Sequence, residues 1–243
     1  MHCCNRFHLN RSDQRAVSAL PVLVMMARRP VAGRVKTRLC PPLTPEQAAT
    51  LYTAFLRDLI EMIRTVPGVR PLIAYAPADA EDYFANLAPD LDRRPQIGAD
   101  LGERLAAVTS ALLQEGVPAV VVIGSDSPSL PAGYIAQALA ELERGADLVL
   151  GPADDGGYYL VGLRRPAPEL FTQVPMSTPT VLHDTLTVAR RIGLHPHLIA
   201  PWYDVDTVAD VIRLRADPAP LRYTRPLLTE IALNIDTSNL DPR

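Results

Sequence analysis

The sequence predicts an α/β domain in which a mostly parallel sheet is covered by helices. From Leu20 onward, apolar runs of strand length alternate with amphipathic stretches of helix length. One run, VPAVVVIG at 117–124, is continuous and β-branched, as a strand buried on both faces requires. At 243 residues, with no internal repeat or low-complexity linker, a single domain accounts for the chain.

The elements follow in order. LPVLVMMA (20–27) reads as a first buried strand. Thr44, Pro45 and Glu46 then mark the start of a helix that runs to about Thr65. VRPLIAYA (69–76) is a second strand, 79–88 a short helix, and DRRPQIG (92–98) an edge strand because of Pro95. Asp100 with Glu103 forms a capping-box signal for the next helix. After the central strand come a helix at 132–144, strands at 146–151 and 157–163, a helix at 179–192, a strand near 194–199 and a helix at 207–216. The boundaries expected are a disordered extension at 1–18, one domain over 19–235 and a tail at 236–243.

Charge excludes some function classes. There are 24 basic and 27 acidic residues, net −3, with no basic face, which argues against a nucleic-acid partner. No apolar run is long enough to span a membrane, and Met1–Arg15 has no apolar signal core, so a cytoplasmic protein is expected. Cys3, Cys4 and Cys40 have neither metal-ligand spacing nor a disulfide pattern. Of the 24 basic residues only one, Lys36, is a lysine.

Ligands of open α/β sheets collect beyond the carboxyl ends of the strands. The first such segment, Ala27 to Leu39, carries Arg28, Arg29, Arg34, Lys36 and Arg38 around Gly33, which suits a polyphosphate. The second is Ser125-Asp126-Ser127-Pro128, where Asp126 is placed to hold a hard divalent cation. In the third, Asp154-Asp155-Gly156-Gly157-Tyr158-Tyr159, a hairpin turn carries two carboxylates able to orient an acceptor hydroxyl or take its proton. The fourth, Asp204-Val205-Asp206-Thr207, offers a helix cap from Asp206 or Thr207, or a second metal ligand from Asp206. A fifth, weaker signal is Gln96, Gly98 and Gly102, with an amide for a base edge and glycines against which a ring can lie.

Five motifs in order, A-R-R-P-V-A-G-R-V-K-T-R-L, Q-I-G-A-D-L-G-E-R-L, V-I-G-S-D-S-P-S-L, G-P-A-D-D-G-G-Y-Y-L-V-G-L and D-V-D-T-V-A-D, resemble the bacterial radical-SAM/selenodomain-associated transferase 1 family. Its members are also called arsenosugar-biosynthesis glycosyltransferases. The resemblance covers about residues 20–215 and implies a GT-A, nucleotide-diphospho-sugar transferase fold, a Rossmann-like three-layer α/β/α sandwich with a mixed sheet. More distantly the chain is similar to molybdenum-cofactor guanylyltransferases and to 2-phospho-L-lactate guanylyltransferase.

Combining resemblance and residues, the expected nucleotide contacts are Ala27, Arg28, Gly33, Arg34, Lys36 and Arg38 on the phosphate side, with Gln96, Gly98 and Gly102 toward the base. Asp126 and Asp206 would bind Mg²⁺ or Mn²⁺, Asp154, Asp155, Gly156, Gly157 and Tyr158 would border the acceptor, and Lys36, Asp154 and Asp155 are the catalytic candidates. The first loop departs from the nucleotidyltransferase pattern G-G-x-S-x-R-M-G, carrying Pro30 and one glycine.

The expected partners are a nucleoside triphosphate or a nucleotide sugar and a small-molecule acceptor, with a homodimer as one assembly. The leading expectation is nucleotidyl transfer from a triphosphate to a small phosphorylated or acidic acceptor, releasing pyrophosphate. The alternatives are glycosyl transfer from a nucleotide sugar and a non-catalytic nucleotide-binding protein on the same scaffold.

Overall fold

The computed structural model describes residues 20–238. The expected extension at 1–18, with Cys3 and Cys4, lies outside them, as do the last five residues of the expected tail. Residues 236–238 belong instead to a final helix, Thr224–Ser238.

Among the described residues seven strands form one sheet: β1 (Val22–Arg28), β2 (Arg70–Ala76), β3 (Asp92–Pro95), β4 (Val120–Ile123), β5 (Leu148–Pro152), β6 (Tyr158–Leu163) and β7 (Pro196–Leu198). Their order is β3-β2-β1-β4-β6-β5-β7, and only β6 runs antiparallel to its neighbours. β3 lies at an edge, where the missing N–H of Pro95 costs the ladder nothing. The central strand, Val120–Ile123, is shorter than the apolar run suggests, although the Ala119 carbonyl ahead of it still accepts from Val22 N at 2.9 Å.

The helices are α1 (Pro45–Arg64), α2 (Glu81–Leu87), α3 (Leu101–Gln114), α4 (Ala132–Glu143), α5 (Glu169–Thr172), α6 (Val181–Arg191), α7 (Val208–Ala216) and α8 (Thr224–Ser238). Alternation along β1 divides the core into two layers. Leu23 and Met25 pack with Phe55 of α1, Ile135 of α4 and Val211 of α7, while Val22 and Val24 pack with Leu105 of α3 and Val188 of α6. This is the three-layer α/β/α sandwich expected from the sequence, with a mostly parallel mixed sheet.

Side-chain caps fix the helix starts. Thr44 accepts from Gln47 N, and Gln47 Oε1 accepts from Thr44 N, completing a capping box on α1. Asp100 accepts from Glu103 N as predicted, but Glu103 reaches past the cap and accepts from Ala99 N at 2.8 Å. At α7 the cap is Thr207, paired reciprocally with Asp210, which frees Asp206 from that task. α5 carries no signal of its own: it is one turn long, stabilised by burying Leu170 and Phe171.

Candidate active site

β1 pairs with β2 on one side and β4 on the other, so the chain leaves this point of the sheet in opposite directions. Such a reversal opens a crevice beyond the strand ends. A cleft of about 550 Å³ lies there, within the range of small-molecule sites. Its walls come from the loops after β1, β3 and β4, from the start of β6, and from the 204–206 segment.

The acidic loops are joined through the backbone. Val205 N donates to Asp126 O at 2.8 Å, and Ala153 pairs with Trp202, which together bring Asp204 and Asp206 beside Asp126. Between Asp126 and Asp206 stands Lys36. Its Nζ lies 3.0 Å from Asp206 Oδ1 and is also paired with Asp126 Oδ1, while the lysine side chain is only 4% exposed. Burial pulls the ammonium pKa down, but the two aspartates outweigh it and hold Lys36 above its ordinary value.

Lys36 adopts the left-handed conformation, φ 49°, just ahead of a single 3₁₀ turn at Thr37–Leu39. Among the described residues the only other non-glycine with positive φ is Ser177, and it lines the same cleft. Such conformations cost about 1–3 kcal/mol each and cluster at functional sites.

Tyr52 of α1 supports the floor. Its hydroxyl is 2.7 Å from Ser125 Oγ and accepts from Arg28 N at 3.1 Å, so one phenol holds the ends of both β1 and β4. Burial pushes its pKa up to about 12, with Asp126 adding to the shift. Asp204 bonds to the Ser127 hydroxyl; burial raises its carboxyl to about 6, and Asp126 and Asp206 push in the same direction. Sequence reasoning missed Tyr52, Asp204 and Ser177 as site residues. Only Asp204 had a signal, the D-V-D-T motif.

The expected phosphate-side residues converge in part. Ala27, Arg28, Arg34, Lys36 and Arg38 line the cleft, whereas Gly33 sits in an exposed turn outside the lining. Of the base-side residues only Gln96 lines it. Its Nε2 donates to Ala27 O (3.1 Å) and Ala74 O (2.8 Å), so the amide donors bind backbone and the carbonyl oxygen is left for a ligand.

Gly98 and Gly102 have packing roles instead. Gly98 turns the chain into α3 at φ 137°, and a Cβ there would meet Glu103 Cβ at 2.7 Å. At Gly102 a Cβ would stand 2.3 Å from the Phe171 carbonyl oxygen, where α3 crosses α5.

The adjacent carboxylates of the hairpin diverge. Asp155, Gly157 and Tyr158 border the far lobe of the cleft, near Ser177 and Thr178. Asp154 points away and pairs with Arg213 at 2.6 Å, so the structure does not bring it to the cleft. Gly156 packs its bare Cα against the Pro179 carbonyl. Burial raises the pKa of the Tyr158 phenol, and the Thr185 hydroxyl acts in the opposite direction.

The acidic pair fits a hard divalent cation. Asp126 and Asp206 present oxygens to one shared positive charge and remain 45% and 38% exposed, leaving room for water and phosphate ligands. Among the described residues no group of three or more histidine, cysteine, aspartate or glutamate side chains gathers as a metal cage.

Comparison with known proteins agrees with this architecture. A family model described as an uncharacterized protein conserved in bacteria (DUF2064) matches residues 59–178. A crystal structure from Desulfovibrio desulfuricans G20, provisionally described as a nucleotide-diphospho-sugar transferase, superposes with a TM-score of 0.83 at 32% identity, covering 90% of this chain and 98% of the other. The chain belongs to the DUF2064 family.

No curated protein matches this DUF2064 chain. More distant structures share the fold. CMP:2-keto-3-deoxy-manno-octonic acid synthetase, solved with CTP, has a TM-score of 0.52 at 15% identity over 82% of this chain and 98% of its own. The 4-diphosphocytidyl-2C-methyl-D-erythritol synthase of Anaerococcus prevotii DSM 20548 has a TM-score of 0.54 at 11% identity over 82% and 98%. The DUF2064 chain therefore has the nucleotide-diphospho-sugar transferase fold, and among the described residues no helix is long and apolar enough to cross a membrane.

Proposed function

We propose that this protein is a metal-dependent nucleotidyltransferase that joins a nucleoside monophosphate unit from a triphosphate to a small phosphorylated or acidic acceptor. The observation that carries the reading is the meeting of Lys36 with Asp126 and Asp206 at the switch point of the sheet, with Arg34 and Arg38 beside them. A solved synthetase of the same fold was bound to CTP, which supports a nucleotide as the kind of ligand.

In the proposed reaction an acceptor oxygen attacks the α-phosphorus, the bond from that phosphorus to the α,β-bridging oxygen breaks, and pyrophosphate leaves carrying that oxygen. Arg34, Arg38 and Lys36 neutralise charge growing on the phosphate oxygens, the usual dominant contribution in phosphoryl chemistry. Asp126 and Asp206 would hold Mg²⁺ or Mn²⁺, which supplies further charge neutralisation when bound. Gln96 offers its carbonyl oxygen to the base, and Asp155 with Tyr158 borders the acceptor. An acceptor that is already anionic needs no general base, which agrees with Asp154 lying elsewhere.

The test is pyrophosphate release on incubation with each triphosphate, Mg²⁺ and a panel of small phosphorylated and carboxylic acids. Silence across the panel counts against the reading. Glycosyl transfer is the second reading, supported by the five motifs that resemble the arsenosugar-biosynthesis glycosyltransferases and by the position of Asp155 beside the acceptor lobe. Slow hydrolysis of a nucleotide sugar to nucleoside diphosphate, with no pyrophosphate from any triphosphate, would favour it.

A further inference from the structure

The Lys36 ammonium is bonded to the very carboxylate oxygens that a cation shared by Asp126 and Asp206 would use. It is held there from several sides. The left-handed backbone aims the side chain inward, the ammonium lies 5.8 Å from the centre of the Phe55 ring, and the side chain is 4% exposed. Arg38 adds a second positive group 3.6 Å from the other oxygen of Asp206. A divalent ion arriving alone would take those oxygens and strand a buried ammonium beside a like charge, a costly arrangement. A nucleotide changes the balance, because its phosphates give the ammonium a new anionic partner.

We propose that Lys36 and a divalent cation compete for Asp126 and Asp206, so that metal binds this protein weakly alone and tightly together with a nucleotide. This rests on the metal-nucleotide reading of the cleft given above. The arrangement couples the two ligands: each raises the affinity of the other by the same factor, as linkage requires. Lys36 is thus a positioning residue for metal loading as well as a phosphate contact.

The test measures binding of Mn²⁺ to the full chain by the paramagnetic resonance of free Mn²⁺, with and without a non-hydrolysable triphosphate analogue. Wild type should bind Mn²⁺ alone weakly and gain about tenfold or more with the analogue. Lys36→Met should bind Mn²⁺ alone about tenfold tighter than wild type, and Lys36→Arg, which keeps a cation, should not.

A second measurement needs no substitution. Because the sequence has one lysine, ε-¹⁵N-lysine labelling reports a single side-chain ammonium, Lys36. Its resonance should stay in place with Mg²⁺ alone and move when the analogue is added at the same Mg²⁺ concentration. Equal Mn²⁺ affinity in wild type and Lys36→Met without nucleotide, or a resonance moved as far by Mg²⁺ alone, overturns the competition while the nucleotide reading stands. Failure of the analogue to bind with or without metal overturns both.

Discussion

The Tyr52 hydroxyl stands 2.7 Å from Ser125 Oγ and also accepts from Arg28 N, so a residue in the middle of α1 fastens together the two strand ends that flank the cleft. Tyr52→Phe removes the partner of two groups at once. Leaving buried polar groups unpaired costs about 1–3 kcal/mol. A urea midpoint lowered by the equivalent of about 1–2 kcal/mol is expected, with weaker nucleotide binding because the Arg28 and Ser125 loops loosen. An unchanged midpoint would mean that the bond contributes nothing net.

Asp126→Asn and Asp206→Asn are each expected to lower turnover about 100-fold, the size of effect seen when one electrostatic contact to a transition state is lost. Each variant leaves Lys36 one carboxylate, so the far-ultraviolet circular dichroism should match wild type. Pyrophosphate release at wild-type rate in either variant would remove that residue from the site.

Asp204 makes stability depend on pH. Burial first, then the charges of Asp126 and Asp206, raise its folded pKa to about 6, above the unfolded value of roughly 3.9. A raised carboxyl favours the folded state below the unfolded pKa and loses that contribution as pH rises through the folded pKa. Asp204→Asn should therefore be more stable than wild type at pH 7.5 by about 2 kcal/mol, with the difference vanishing near pH 4. Parallel urea titrations at the two pH values decide it; an equal difference at both would assign the effect to packing.

Gly102→Ala tests packing against ligand contact. The added Cβ would lie 2.3 Å from the Phe171 carbonyl oxygen, so backbone must move. A destabilisation of about 2 kcal/mol is expected, typical of overpacking, with nucleotide affinity of the folded protein retained. Lost affinity at unchanged stability would instead restore Gly102 to the base side.

Asp154→Ala should leave turnover within about twofold, because the carboxylate pairs with Arg213 outside the cleft. That pair is half exposed on both sides, and such pairs contribute at most about 1 kcal/mol. A large loss of turnover would bring Asp154 back as a catalytic group.

The layered fold was legible because its signals are local. Strand runs such as that ending at Ile123, and caps such as Thr44 and Asp100, depend on residues within a few positions of one another. The site was legible only as a set of strand ends. Lys36, Asp126 and Asp206 could be singled out by type and position, whereas Tyr52 and Ser177 look like ordinary helix and loop residues until neighbouring segments are in place. Asp154 and Asp155 show the limit most directly: they are adjacent in sequence, yet the hairpin sends one to Arg213 and leaves the other at the cleft.

By itself, then, the sequence determined an α/β sandwich and the segments that carry its chemistry, since periodicity and capping are short-range properties. Only the tertiary structure decided that Lys36 bonds to Asp206, 170 residues away, and does so beside Asp126. That pairing follows from strand order and from the Val205–Asp126 backbone bond between distant loops, neither of which leaves a trace in local sequence.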